Sequence, residues 1–239
     1  MKEADQLISK FETFINSEID SAVKELAKIK VESNRKHLQR LVYVNLTNRF
    51  DLLIDALLLK YSVVDGEFKQ KVLNETKEEP VFLKEIYEIL LSDDPKRAVK
   101  QKVEDITQLN FLSLRHSVKL RTLLKLCFNW KDADLDKPRV FVNNGSIYQD
   151  TKRQKPYKVP DSVIGYADWL YSRRNALVHH DKSEFLMNDL RIMEKKFGAK
   201  PPKSFSIKLS SIKSASKFYL ELCKKIKGKK DEEIESLES

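Results

Sequence analysis

Residues 41–58 read LVYVNLTNRFDLLIDALL, and as a helix this run would be apolar on most of its circumference. A helix of that kind belongs in the centre of a bundle, because no face of it suits water. We therefore predict a central helix over about residues 36–63. Its polar residues Asn48, Asp51 and Asp55 follow each other at steps of three and four, so we expect them on one stripe.

The flanking sequence has the same helical periodicity, with apolar residues every three or four positions. The chain has only 5 Gly and 7 Pro, so few residues interrupt these segments. Asp94-Pro95 has the form of a helix N-cap. Further helices are expected at about residues 4–29, 80–91, 95–109, 112–129, 161–180 and 210–226. The sequence thus predicts an all-α fold, with one helical domain over 1–226 and a charged, flexible tail over 227–239.

Residues 130–160 break the helical pattern and are predicted to form a surface insertion. Val140–Val142 and Ser146–Tyr148 flank Asn143-Asn144-Gly145, which resembles a hairpin with an Asn-Gly turn. The next segment is basic and is broken by proline. Such a segment can guide RNA through charge and base stacking, although an ordinary solvated loop explains it equally well. The cationic residues considered for RNA binding are Lys152, Arg153, Lys155 and Lys158.

The net charge of +9 suits a polyanionic partner such as nucleic acid, because cations that neutralise phosphates release counterions. Solvated lysine faces explain the same charge. No apolar leader and no run of about 20 apolar residues are present, so we expect a cytoplasmic protein without a membrane segment. Cys127 and Cys223 are expected to be free thiols in apolar helices. No Cys-x-x-Cys occurs, and neither a metal nor a cofactor is expected.

One arginine in the helix predicted over 161–180 stands out. On a wheel of about 100° per residue, Arg174 falls in the middle of the apolar stripe, while Asn175 and His179 lie at its edge. A guanidinium in an apolar stripe is costly unless it finds acceptors. The stripe consists of Val163, Ala167, Leu170, Leu177 and Val178.

Three interpretations of Arg174 remain open from the sequence. Its side chain extends past a thin core to solvent, or it pairs with a buried carboxylate such as Asp51 or Asp55. Alternatively it lines a polar cleft or a subunit interface, where it meets an anionic ligand.

Arg174, Asn175 and His179 together offer more chemistry than each does alone. A lone histidine is usually structural, and the adjacent His180 suits a helix C-terminus. However, a guanidinium clamps phosphate oxygens, an imidazole titrates near neutral pH, and an amide can orient either partner. These groups can move a proton at a ribose hydroxyl and stabilise a negative phosphorus centre. Arg115-His116 is a second such pair, for which a surface position is expected.

The motif Arg174-Asn175-x-x-x-His179, near the end of a helix in an all-helical, lysine-rich chain, resembles the signature of the HEPN superfamily: Arg, four to six residues, then His. Residues 206–212, which lead into an apolar helix, also resemble the segment after the motif in several HEPN nuclease families. The RiboL-PSP-HEPN and MAE-type groups are the nearest comparisons. The similarity extends over residues 1–226, but only the motif is specific.

The resemblance implies a HEPN-like helical bundle with a small hairpin insertion before the motif helix. It implies a homodimer whose two motifs face each other, and RNA cleavage without a metal that leaves a cyclic phosphate. His179 would be the general base or acid, Arg174 would stabilise the charge at phosphorus, and Asn175 would support both. Asp51, Asp55 and His180 are supporting candidates.

HEPN proteins of this kind commonly serve as toxins with a cognate antitoxin, or as phage-defence effectors with a system partner. Two alternatives stay open. Some HEPN proteins are catalytically silent and bind nucleotides or proteins. A DNA-binding or other interaction bundle that acts through charge alone would depend steeply on salt but not on Arg174.

Overall fold

The computed structural model describes residues 2–64, 66–75, 83–149, 158–178, 183–199 and 206–238. Helices hold most of these residues, and the two strands among them are three residues each, so the predicted all-α class is confirmed. No helix in the described part of the chain is long and apolar enough to cross a membrane.

The described elements are arranged in this order along the chain: α1 (Lys2–Phe14), a π-helical turn (Ile15–Ile19), α2 (Asp20–Lys28), α3 (Glu32–Ser62), α4 (Glu67–Glu75), α5 (Leu83–Leu90), α6 (Pro95–Thr107), a π-helical turn (Gln108–Leu112), α7 (His116–Thr122), a π-helical turn (Leu123–Cys127), α8 (Asp132–Asp136), β1 (Pro138–Val140), β2 (Ile147–Gln149), α9 (Val163–Val178), α10 (Ser183–Phe197) and α11 (Leu209–Glu238). The chain divides into two compact units, Met1–Leu53 with Trp130–Ser239, and Ile54–Asn129.

The first unit is built around aromatic side chains from three helices. The rings of Phe50 in α3 and Tyr219 in α11 stack with centroids 4.1 Å apart, and Phe11 in α1 lies 5.6 Å from Phe50. All three are buried, so they bring large apolar areas into the core and add the favourable energy of ring pairing. The buried Tyr43 hydroxyl donates to Leu170 O at 2.9 Å, which joins α3 to α9.

The predicted hairpin is present, with Val140 opposite Ile147, but its strands are Pro138–Val140 and Ile147–Gln149 rather than 140–142 and 146–148. The strands are joined by residues 141–146, and Gly145 takes a φ of 79°. The segment packs on α11 instead of standing free: Ser214 Oγ donates to Asn143 O at 2.8 Å. A Cβ on Gly145 would lie 1.9 Å from Ser214 O, so this close approach requires glycine.

The second unit has its own apolar core, in which Phe68 and Phe111 meet edge to face at 5.1 Å. Helix α6 begins as predicted: Pro95 is its first residue and Asp94 Oδ1 accepts from Arg97 N at 3.0 Å. By contrast, α5 buries none of its residues.

Two further predictions have clear outcomes. Cys127 and Cys223 are free, as predicted, and burial raises the pKa of both thiols. The predicted end of the last helix near Ile226 is wrong, because α11 continues to Glu238 through the charged segment. Lysine and glutamate are good helix formers, so charge alone does not end a helix.

Candidate functional site

Helix α9 passes from complete burial to partial exposure along its length. Every residue from Val163 to Leu170 is buried, whereas those from Arg173 to Leu177 are half-buried and Val178 is 43% exposed. The predicted core-facing stripe is therefore right for Val163, Ala167 and Leu170 and wrong for Leu177 and Val178. Arg174 lies in the segment where the helix leaves the core.

Two neutral amides hold the Arg174 guanidinium. Its Nε donates to Asn48 Oδ1 of α3, and its Nη1 donates to Asn175 Oδ1 at 2.8 Å. The Tyr171 ring lies under the guanidinium, with its centroid 5.5 Å from Cζ. A guanidinium has five N–H donors, so these two bonds leave three of them for other acceptors. The amides fix the side chain without neutralising its charge.

Asn48 is the site residue that the sequence does not identify. It lies on the predicted polar stripe of α3, but Asp51 and Asp55 are better acceptors for an arginine by charge. Which of these residues accepts from Arg174 depends on how α3 is rotated against α9, and in the structure it is Asn48. The signal that the sequence offers is the position of Asn48 on that stripe, as an amide in a mostly apolar run.

Arg173, the neighbour of Arg174, is positioned by a backbone carbonyl and two aromatic rings. Its Nη2 donates to Ser206 O at 3.0 Å, and its Cζ lies 5.2 Å from the Tyr43 ring and 5.6 Å from the Trp169 ring. Burial raises the pKa of Tyr43 to about 12, while the positive charge of Arg173 acts in the opposite direction. Arg173 thus ties α9 to the segment that leads into α11.

The two supporting aspartates belong to different compact units. Asp51 is half-buried in the first unit, where its charge adds to the burial that raises the pKa of Tyr219. Asp55 belongs to the second unit, in which its Oδ1 lies 2.6 Å from Nζ of Lys119. Lys119 is 4% exposed and Asp55 is 23% exposed, so the ion pair is buried mainly on the lysine side.

The expected surface position of the Arg115-His116 pair is wrong for His116, which is 1% exposed at the start of α7. Lys158 is exposed. The remaining predicted residues lie outside the described part of the chain, and these are Lys152, Arg153, Lys155, His179 and His180.

The chain matches no protein-family model, and no curated protein or solved structure is significantly similar to it.

The described part of the site can bind an anion and fix its orientation. A cation held by neutral groups in a half-buried position interacts more strongly with a ligand's charge than one in open water. The N–H groups of Arg174 that donate to no described residue suit the oxygens of a phosphate or carboxylate, which accept two N–H groups at once.

Proposed function

We propose that this protein is a metal-independent endoribonuclease of the HEPN type, acting as a toxin or phage-defence effector. The observation that carries the proposal is the Arg174 guanidinium, which is fixed by the amides of Asn48 and Asn175. A half-buried arginine with a structural role usually pairs with a carboxylate. An arginine that is held by neutral amides can instead bind an anionic substrate, and the net charge of +9 favours a nucleic acid.

The side chains of the motif suit transesterification at a ribose 2′-hydroxyl. A histidine base, His179, takes the proton of a ribose 2′-hydroxyl, and the 2′-oxygen attacks the adjacent phosphorus. The bond from phosphorus to the 5′-oxygen breaks, and that oxygen leaves with a proton from an acid. The products are a 2′,3′-cyclic phosphate and a 5′-hydroxyl. Arg174 stabilises the negative charge that develops on the phosphoryl oxygens, and Asn175 keeps the guanidinium in place.

A homodimer is part of the same proposal. Leu177 is half-buried and Val178 is 43% exposed at the end of α9, next in sequence to His179. Apolar residues in that position suit a second copy, which would bring two motifs together around one RNA strand.

The test is cleavage of a labelled RNA in EDTA by wild type, His179→Ala and Arg174→Gln. We expect cleavage by wild type with a cyclic phosphate on the product, and a loss of at least about 100-fold in each variant. His37→Ala, at an exposed histidine of α3, is the matched control. Cleavage that needs a metal, or that survives in His179→Ala, would reject the mechanism.

A further inference from the structure

A basic cavity of about 480 Å³ lies in the first unit, lined by the first turns of α3 and α11. It is separate from the hydrogen bonds that hold Arg174. Its lining includes four cationic side chains and one carboxylate, and these are Arg35, Lys36, Arg40, Lys208 and Glu32.

Two of these cations have no ion-pair or hydrogen-bond partner among the described residues, namely Arg40 and Lys208, and both are exposed. Lys36 pairs with Glu32 at 2.6 Å, and this pair accounts for the one carboxylate in the lining. The cavity therefore keeps an excess of positive charge, which favours an anionic ligand.

Two long helices begin at this cavity and add to its positive potential. α11 starts at Leu209 and α3 at Glu32, and both residues line the cavity. The first N–H groups of a helix have no acceptor inside it, and the helix dipole favours negative charge at that end. Such ends bind phosphate groups when cations lie beside them.

An uncharged amide adds a donor and an acceptor to the cationic lining. Gln39 lines the cavity, is 6% exposed as a residue and has no hydrogen-bond partner among the described residues. Its amide is not among the buried polar atoms of the described residues that lack a partner, so it reaches the cavity, where a ligand oxygen can accept from it.

We propose that this cavity binds a backbone phosphate of the RNA strand away from the bond that is cut. The identification of the ligand as RNA rests on the proposed function, whereas the preference for phosphate rests on the cavity alone. A volume of about 480 Å³ suits one phosphate with its ribose. Ser206 lines the cavity, and its carbonyl oxygen accepts a hydrogen bond from the side chain of Arg173. Arg173 precedes Arg174 in α9, so one side chain connects the cavity to the motif helix.

The test measures binding without cleavage, by fluorescence anisotropy with a labelled single-stranded RNA in which every 2′-hydroxyl is methylated. The variant is Arg40→Gln with Lys208→Gln. The control is Arg191→Gln with Lys195→Gln, which removes the same charge from exposed positions on α10. We expect the cavity variant to bind about tenfold more weakly, with a salt slope reduced by about 1, and the control to change little.

A second variant keeps the charge and removes the amide, which is Gln39→Leu. It should weaken RNA binding while its circular dichroism spectrum and melting show a folded protein. Equal RNA affinity of the cavity variant and its control would overturn the proposal. The same applies if the cavity variant loses affinity for AMP or inorganic phosphate but not for the methylated RNA, because the site would then serve a free ligand.

The two proposals fail in different ways. If wild type does not cleave RNA but Arg40→Gln with Lys208→Gln still weakens RNA binding, the ribonuclease proposal is rejected and the RNA site stands. If wild type cleaves and the cavity variant binds the methylated RNA as its control does, the cavity assignment alone is rejected.

Discussion

Asn48 of α3 accepts a hydrogen bond from Nε of Arg174 of α9, so an amide rather than a carboxylate holds the charged side chain of the motif. The bond orients the guanidinium. Because the amide is neutral, the positive charge stays available to a ligand at the other N–H donors. This difference between amide and carboxylate can be tested directly, because Asn and Asp have almost the same shape.

Asn48→Asp should keep the protein folded but slow RNA cleavage by at least about tenfold. The new carboxylate would form an ion pair with Arg174, which strengthens their contact and neutralises the charge intended for the phosphate. Asn48→Leu should slow cleavage as well, but with lower stability, because Arg174 Nε loses its acceptor. Cleavage rates and urea unfolding of both variants separate the two effects. Wild-type rates in Asn48→Asp would show that the neutrality of this partner does not matter.

Gln39→Leu should weaken RNA binding and leave the stability of the isolated protein within about 0.5 kcal/mol of wild type, because the amide makes no hydrogen bond to a described residue and reaches the cavity. Urea unfolding without RNA measures the stability, and fluorescence anisotropy measures the binding. A marked loss of stability would mean that the amide has a structural partner and does not serve a ligand.

Gly145→Ala should destabilise the protein by about 3 kcal/mol or more, since the Cβ would meet Ser214 O and the residue has a φ of 79°. Gly198→Ala is the matched control: its φ is 65°, but nothing lies within 4 Å of its Cβ. It should cost only about 1 kcal/mol, the penalty of the backbone conformation. Equal costs in the two variants, measured by urea unfolding, would contradict the close packing of the hairpin on α11.

Tyr43 should contribute to a loss of stability in alkali. Burial raises its pKa from 10.0 to about 12, so the folded state holds the phenol proton more tightly than the unfolded state. The contribution of Tyr43 to the free energy of unfolding is complete below pH 10 and is lost as the pH rises through about 12. Tyr43→Phe should therefore be less stable than wild type at about pH 8, where it lacks the bond to Leu170 O, and the gap should close as the pH rises. Parallel curves of unfolding free energy from about pH 8 to about pH 11 would refute this.

The sequence predicts most of the long helices but misses α4 and α8, and it predicts the site only in part. Periodicity predicts α3 and α9 because apolar residues recur around most of α3 and along one face of α9. A helical wheel, however, treats burial as constant along the axis, and so it misplaces Leu177 and Val178 where α9 leaves the core. The choice of Asn48 over Asp51 depends on how two helices are rotated against each other, which no local pattern encodes.

Asp55 should matter for stability and not for cleavage. Its carboxylate lies 2.6 Å from the nearly buried Nζ of Lys119 within the second unit. Asp55→Asn would remove a carboxylate in contact with that ammonium, and breaking such a pair at a buried cation costs about 3 kcal/mol. Lys119→Met with Asp55→Leu should recover part of the loss, because it removes the nearly buried ammonium together with the carboxylate. Urea unfolding and RNA cleavage at a temperature where every variant is folded measure the two properties. If Asp55→Asn slowed cleavage in fully folded protein, Asp55 would have a role in the reaction as well as in stability.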